Sequence, residues 1–392
     1  MEDSGTLLLN LVLLLILAKI LEAPLRKYHL HPIPGHVVAG IILGPYVLGI
    51  VYPSPELLGV SYFGLLLLMF YTGLTTDFRE LKRRGKSIIL MGGMGVLATF
   101  TLIYYFLGFF GITGIPALFL AAALSNTATE TVAATIAQKG DPKSSSLLIG
   151  ASFVDDLMAV FMIGIMSGIS AGFIDYFSLG VLFFKTMSFL AVVFIVSEIL
   201  VSRYTKFYKL MSQNYFWFAS YAIMLALSLS LISRMVGLSE LIGSYLAGIL
   251  VSRGREFHDP FLRTRIAISE FISDFTVILD VIFIPLFFTY IGISFQPGAV
   301  NLSLYAVLLT LVMLGKIIGA APIAYRDLKD VRRAFAVGTA MGGRGALDTA
   351  LLKIGLDRGI ISSILFNTAI TVSLTTTIIA PILYILIYRK EQ

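Results

Sequence analysis

Runs of about 18 to 25 apolar residues, each long enough to cross a hydrocarbon layer roughly 30 Å thick, follow one another from Thr6 to Tyr388 with only short polar breaks. Such a chain leaves no room for a separate soluble domain. Hydrophobic residues make up 57% of its 392 positions and charged residues 13%, with a mean hydropathy of +0.91, more apolar side chain than any soluble domain needs. The fold class is therefore all-α and polytopic. Thirteen transmembrane helices are expected, over about residues 6–23, 35–51, 61–75, 87–110, 115–138, 145–168, 178–202, 214–236, 240–251, 266–293, 302–325, 334–355 and 360–388. The ninth is short and the tenth long, so "RTRIAISEFISDF" is expected to lie as an amphipathic piece at the membrane surface before the tenth dives in.

Lys and Arg stay on the cytoplasmic side of short loops, which gives orientation a test independent of hydropathy. Basic loops at Arg26 and Lys27, Arg79 to Lys86, Lys139 and Lys143, Arg203 to Lys209, Arg253 to Arg265, Arg326 to Arg333, and Arg389 and Lys390 alternate with loops carrying only Lys185, Arg234, Lys353 and Arg358. The expected topology has the N-terminus outside and the C-terminus in the cytoplasm. The net charge of +6 is then a topology determinant, and no nucleic-acid partner is expected. Cysteine is absent, and His29, His31, His36 and His258 show no metal-ligand spacing. The start "MEDSGTLLLN" has acids where a secretory signal is basic, so the first apolar run is read as a retained helix.

Transporters are often built from inverted halves. Here "HVVAGIILG" resembles "SYLAGILVS", "MFYTGLT" resembles "FTYIGIS", and "FLAAALSNTATETVAATIAQKG" can be laid on "FAVGTAMGGRGALDTALLKIG". Each partner lies seven spans downstream, an odd stride, so spans 1 to 6 and 8 to 13 are expected to form an inverted six-helix repeat joined by span 7. Spans 5 and 12 carry "SNTATET" at Ser125 to Thr131 and "GGRGALDT" at Gly342 to Thr349, neither of them good helix. Two such breaks at matched positions point to a central site where broken helices cross. Close packing of small residues is the plainer alternative. It leaves Glu130 and Arg344 without an account.

Charge at mid-membrane costs at least about 2.5 to 3.5 kcal/mol per side chain, so each instance needs a partner, water or a purpose. Six residues fall in this class: Glu130, Asp155, Asp156, Lys316, Arg344 and Asp348. Arg344 is expected to hold the crossing together, with Glu130 or with Asp348 as its counter-charge. Asp155 and Asp156 are adjacent, and neighbouring helix positions diverge by about 100°, so they face different partners. A simple division pairs Asp155 with Lys316, the only mid-span lysine, and turns Asp156 towards a water-filled cavity. Ser152 lies one turn before Asp156 on the same face. Thr127, Thr129 and the carbonyls freed by the break complete an oxygen-only site for a hard cation, with sodium placed at Asp156. The corresponding stretch of span 13, "TAITVSLTT", has no acid, so one ion site per chain is expected.

A carboxylate in a dry funnel beside a second acid can be protonated or bare near neutral pH, so protons and a small alkali cation compete for the same oxygens. If the protein changes its facing only when the site is occupied, cation is exchanged for proton. Cation arrival would also weaken the Lys316 salt bridge and let the lysine release a proton, which makes the exchange electrogenic.

The motifs "HPIPGHVVAGIILGP", "FYTGLTTDFRELKRRGK", "ALSNTA", the "DD" pair, "FFTYIGISF" and "MGGRGAL" together resemble the monovalent cation:proton antiporter-2 branch of the sodium/proton exchangers, along essentially the whole chain. "DD" with the lysine of "LGKIIGA" is similar to its electrogenic sodium/proton antiporters. The resemblance implies a mobile core domain from residues 87–168 and 302–388, a dimerisation domain from residues 1–75 and 214–293, and a linker helix over 178–202. It also implies a homodimer, elevator-like alternating access, Asp156 as the main ion and proton carrier, and Asp155 as the partner of Lys316. Glu130 departs from the neutral residue usual in that break. Only four residues follow Tyr388, so no nucleotide-binding domain is expected, and the transported sodium and protons replace any cofactor.

Sodium (or lithium) for proton antiport is the leading expectation, with potassium/proton exchange next because oxygen ligands alone do not select between them. A sodium-coupled organic-anion symporter is a further reading, with Lys316 and Arg344 on the carboxylate, but the site has few polar side chains to hold a large solute. An aspartyl protease requires two acids converging on one water from separate helices, which adjacent residues do not provide. No enzyme activity is expected.

Overall fold

The computed structural model describes residues 4–27, 32–75, 78–128, 143–152, 154, 155, 158, 184, 188, 192, 195, 214–236, 240–252 and 263–388, and every regular element among them is a helix. Most of the sixth and seventh expected spans lies outside these residues. Seven helices among the described residues are long and apolar enough to cross a membrane. Their large apolar side chains are turned outward as often as inward: Leu8, Ile16 and Ile20 on α1 (Ser4–Lys27), and Trp217, Met224 and Leu231 on α7 (Tyr215–Met235), are all exposed. Lipid is the medium that such a surface fits.

Three expected spans take a different course. The second ends early: α2 (Ile33–Leu43) stops before Gly44, whose extended backbone (ψ 173°) leads into Pro45, and a turn with Gly49 N–H on the Gly44 carbonyl follows. Proline bars the helical conformation for the residue before it, so the apolar run to Val51 continues without helix. The amphipathic piece ahead of the tenth span is no separate surface element. Helix α9 (Arg263–Ile278) runs through a π-helical turn, Leu279–Phe283, directly into α10 (Ile284–Ile293). Pro285 has no N–H to give and crowds the carbonyl four residues back, which is the usual cause of such a widened turn. The twelfth span divides into α12 (Val331–Ala340) and α13 (Ala346–Asp357) at the expected glycines.

The chain forms two compact units. One comprises Met1–Ser54, Phe78–Met162 and Phe288–Gln392. In it α4 (Phe78–Leu107) packs along α11 (Leu302–Leu328), whose Gly315 and Gly319 lie so close to Thr99 and to Met94 that added Cβ atoms would overlap them. Ile88, Met91, Leu147, Ala151, Val337 and Tyr384 belong to one buried cluster that joins α4, the helical residues 143–152 (α6), α12 and α14 (Ser363–Tyr388). Near the end of α1, Glu22 accepts from Lys19 at 2.7 Å and from Arg26, and His36 of α2 lies with Nε2 2.9 Å from the same carboxylate.

The other unit comprises Pro55–Asp77 and Ile163–Phe287. Its core packs α3 (Pro55–Thr75) on α8 (Glu240–Ser252), and rings of Phe70, Phe218, Phe271 and Phe275 meet edge-on or stacked. Gly73 and Gly248 let the two backbones touch: a Cβ at Gly248 would collide with the Phe70 carbonyl. Contact this close maximises dispersion between helices that lipid does not drive together. Gly248→Val should therefore remove most folded protein from detergent extracts. Gly59→Ala, with nothing within 4 Å of the added carbon, should leave the melting temperature unchanged or raise it by the equivalent of about 0.5–1 kcal/mol; fluorescence-detected thermal unfolding measures both.

Candidate ion site at the crossing of two helix breaks

Helix α5 (Gly114–Ala123) ends in a turn at Leu124 and Ser125, where the Ser125 hydroxyl donates to the Ala122 carbonyl at 2.9 Å, and residues 126–128 continue without helix. Helix α12 ends likewise at Met341 and Gly342, and helix resumes only at Ala346. Helix ends leave backbone groups without partners, a severe cost in the membrane interior. The two breaks satisfy each other. Ala128 N–H donates to the Gly343 carbonyl at 3.1 Å, the Thr127 hydroxyl to the Met341 carbonyl at 2.8 Å, and Arg344 Nη1 to the Asn126 carbonyl and, at 3.5 Å, to Met341. From α14, the Thr377 hydroxyl donates to the Arg344 carbonyl at 2.6 Å. Asp348, in the first turn of α13, caps that helix by accepting from Gly345 N–H at 3.1 Å.

Beside the crossing, Lys316 of α11 forms an ion pair with Asp155 Oδ2, both residues having no exposed surface. Asp155 is also in electrostatic contact with Thr127 and Arg344, and Lys316 with Asp348. Two acids and two bases thus gather in one buried group. Several polar atoms around them are left over: Asp155 Oδ1, Ser152 Oγ, both amide atoms of Asn126 and Asp348 Oδ1 are buried without a hydrogen-bond partner among the described residues. Buried polar atoms are rarely left so, which makes this group of atoms a candidate place for an ion, a proton or water.

The structure thus brings Asp155, Lys316, Thr127, Arg344 and Asp348 together, with Ser152 one turn before Asp155 on α6. Asp156, Thr129 and Glu130 lie outside the described residues. Sequence reasoning passed over Asn126, whose carbonyl receives Arg344, although it stood within the quoted "SNTATET". It also passed over Thr377, which no signal separates from the other threonines of "SLTTTI".

An all-helical membrane protein that crosses two helix breaks at mid-chain depth and lines the crossing with buried charge has the build of a secondary transporter. A family model described as "Sodium/hydrogen exchanger, transmembrane" matches residues 12–388, and the chain belongs to that family. The Na(+)/H(+) antiporter NhaS4 of Synechocystis is 25% identical over 98% of each chain. The Na(+)/H(+)-K(+) antiporter GerN of Bacillus cereus is 26% identical over 88% of this chain and 87% of its own. Among solved structures, the sodium proton antiporter MjNhaP1 of Methanocaldococcus jannaschii superposes with a TM-score of 0.63 at 16% identity, over 98% of this chain and 99% of that one. That likeness speaks for the fold alone.

Removing one partner of a buried ion pair strands the other, whereas removing both costs far less. Lys316→Met should lower stability by about 3–5 kcal/mol, and Asp155→Leu with Lys316→Met should restore most of the loss. The single variant's defect should be smallest at acid pH, where the stranded carboxyl takes up a proton, and should grow as pH rises. Thermal unfolding of the purified variants between pH 5 and 8 checks the order and the trend.

Proposed function

We propose that this protein exchanges sodium, or lithium, for protons across the membrane by alternating access, moving net charge in each cycle. The observation that carries the reading is the buried Lys316–Asp155 pair at the crossing of two helix breaks, in a chain of the sodium/hydrogen exchanger family. With Asp155 held by the lysine, Asp156 is the carboxylate assigned to meet the cation, together with Ser152, Thr127 and Thr129. Proton and cation compete for it. The tie of Thr127 to the opposite break and its electrostatic contact with Asp155 support this reading. Glu130, Arg344 and Asp348 are assigned to the charge balance of the crossing.

The architecture belonging to this reading has thirteen membrane helices in two inverted halves. Residues 87–168 and 302–388 carry the ion, residues 1–75 and 214–293 form the dimerisation part, and residues 178–202 link them. The packed glycines support the repeat. Laying the "HVVAGIILG" and "SYLAGILVS" stretches on each other pairs Gly40 with Gly248 and Val37 with Tyr245; laying "MFYTGLT" on "FTYIGIS" pairs Gly73 with Gly292 and Phe70 with Thr289. Gly40 packs on Thr289 and Gly292 on Val37; Gly248 packs on Phe70 and Gly73 on Tyr245. The same contacts recur with the halves exchanged. A homodimer in a prokaryotic plasma membrane, with the N-terminus outside and the C-terminus in the cytoplasm, completes the reading and rests on the alternation of basic loops.

Potassium/proton exchange is the second reading, favoured by the similarity to GerN. Proteoliposomes under an imposed sodium or potassium gradient, with a pH dye inside and the potential free or clamped, decide between them. Sodium should drive proton movement whose rate responds to the potential, and Asp156→Asn should reduce it to the level of empty liposomes. No cation-driven proton movement would sink both readings, and a response to potassium alone would select the second.

A further inference from the structure

The mechanism above leaves one buried carboxyl with spare capacity. Asp348 is 1% exposed, and its Oδ2 is engaged by Gly345 N–H at 3.1 Å while Oδ1 has no hydrogen-bond partner among the described residues. Asn126 also acts electrostatically on this carboxyl. Two cations face it: Arg344 from the break before α13, and Lys316 from α11. Arg344 sends Nη1 to the carbonyls of Asn126 and Met341, and α14, packed against α13, contributes the Thr377 hydroxyl, which donates to the Arg344 carbonyl.

In the ion-exchange reading, a cation arriving at Asp155 and Asp156 competes with the Lys316 ammonium for Asp155. An ammonium without a counter-ion in a dry site either loses its proton or finds another carboxylate. Asp348 is within its electrostatic reach, and its Oδ1 has no hydrogen-bond partner among the described residues.

We infer that Asp348 is a second proton-exchanging carboxyl of the site: it receives Lys316 when a cation claims the adjacent acids, and gives up its own proton as the ammonium arrives. The inference rests on the ion-exchange reading and deepens it. In the proton-loaded form Asp156 and Asp348 are protonated and Lys316 is paired with Asp155. In the cation-loaded form the cation lies on Asp155 and Asp156, and Lys316 is paired with ionised Asp348. The difference is one cation for two protons, so net charge moves while Lys316 keeps its proton throughout. Asp348, rather than the lysine, is then the second proton source.

Asp348→Asn separates this role from capping, since an asparagine oxygen still accepts from Gly345 N–H. Purified protein in weakly buffered detergent, titrated with whichever cation the wild type transports, should release about two protons per bound cation in the wild type and in Asp348→Glu, and about one in Asp348→Asn. In proteoliposomes Asp348→Asn should still exchange, but without response to potential, and with a half-saturating cation concentration raised about tenfold, or roughly 1.4 kcal/mol. Equal proton release from Asp348→Asn and wild type overturns the inference. Cation-induced infrared difference spectra of the wild type provide a check that needs no variant: loss of two protonated-carboxyl bands is expected, and loss of one overturns it. A wild type that binds and moves no cation refutes the ion-exchange reading instead.

Discussion

An ammonium and a carboxylate closed off from water set the terms for this protein. Each of the two ions in the Lys316–Asp155 pair gives up hydration worth several kcal/mol, and their mutual attraction returns that only if both stay in place. The surroundings meet this condition with further charges and dipoles, so that Asp155 also feels Arg344 and Thr127 while Lys316 also feels Asp348. A pair held this way is close to balance, so that a second cation at the same oxygens is enough to redistribute it.

The crossing that carries these charges is made possible by backbone, and backbone unwound in a membrane is costly unless every freed group is paired. Here the carbonyls of Asn126, Met341 and Gly343 receive an arginine, a threonine hydroxyl and an amide from the opposite break. Arg344 acts as a peptide-group surrogate: its planar donors reach carbonyls that a regular helix would have satisfied. Elsewhere glycines do the reverse work, removing side chains so that regular helices touch along their backbones, as Gly315 does at Thr99 and Gly73 at Tyr245. The fold alternates between contacts too tight to open and a crossing with polar atoms to spare.

Much of this was legible in the sequence, for identifiable reasons. Long apolar runs report helices directly, and the positions of the two breaks were visible because "SNTATET" and "GGRGALDT" contradict helix at membrane depth. The association of Asp155 with Lys316 followed from scarcity, since one mid-span lysine had few acids to serve. Hydropathy could not separate a helix from an apolar turn, so the end of α2 at Gly44–Pro45 was hidden within a run continuing to Val51. Arg344 was matched with acids because acids have a sequence signature; the carbonyls of Asn126 and Met341, which receive its Nη1 alongside the charge of Asp348, have none. Asn126 and Thr377 were missed on the same ground: Asn126 takes part through its own backbone carbonyl, and the Thr377 hydroxyl donates to the backbone carbonyl of Arg344.

The separation in sequence between partners bears on how the chain is made. Asp155 meets Lys316 across 161 positions, and Thr127 meets the Met341 carbonyl across 214. A ribosome delivering the chain from its N-terminus inserts the acid well before the base exists, and the first break well before the second. During that interval the nascent chain holds its carboxyl either protonated or near water at the translocon. The crossing of the two breaks and its buried ion pair are consequently among the last features to form, and an incomplete chain released early lacks both.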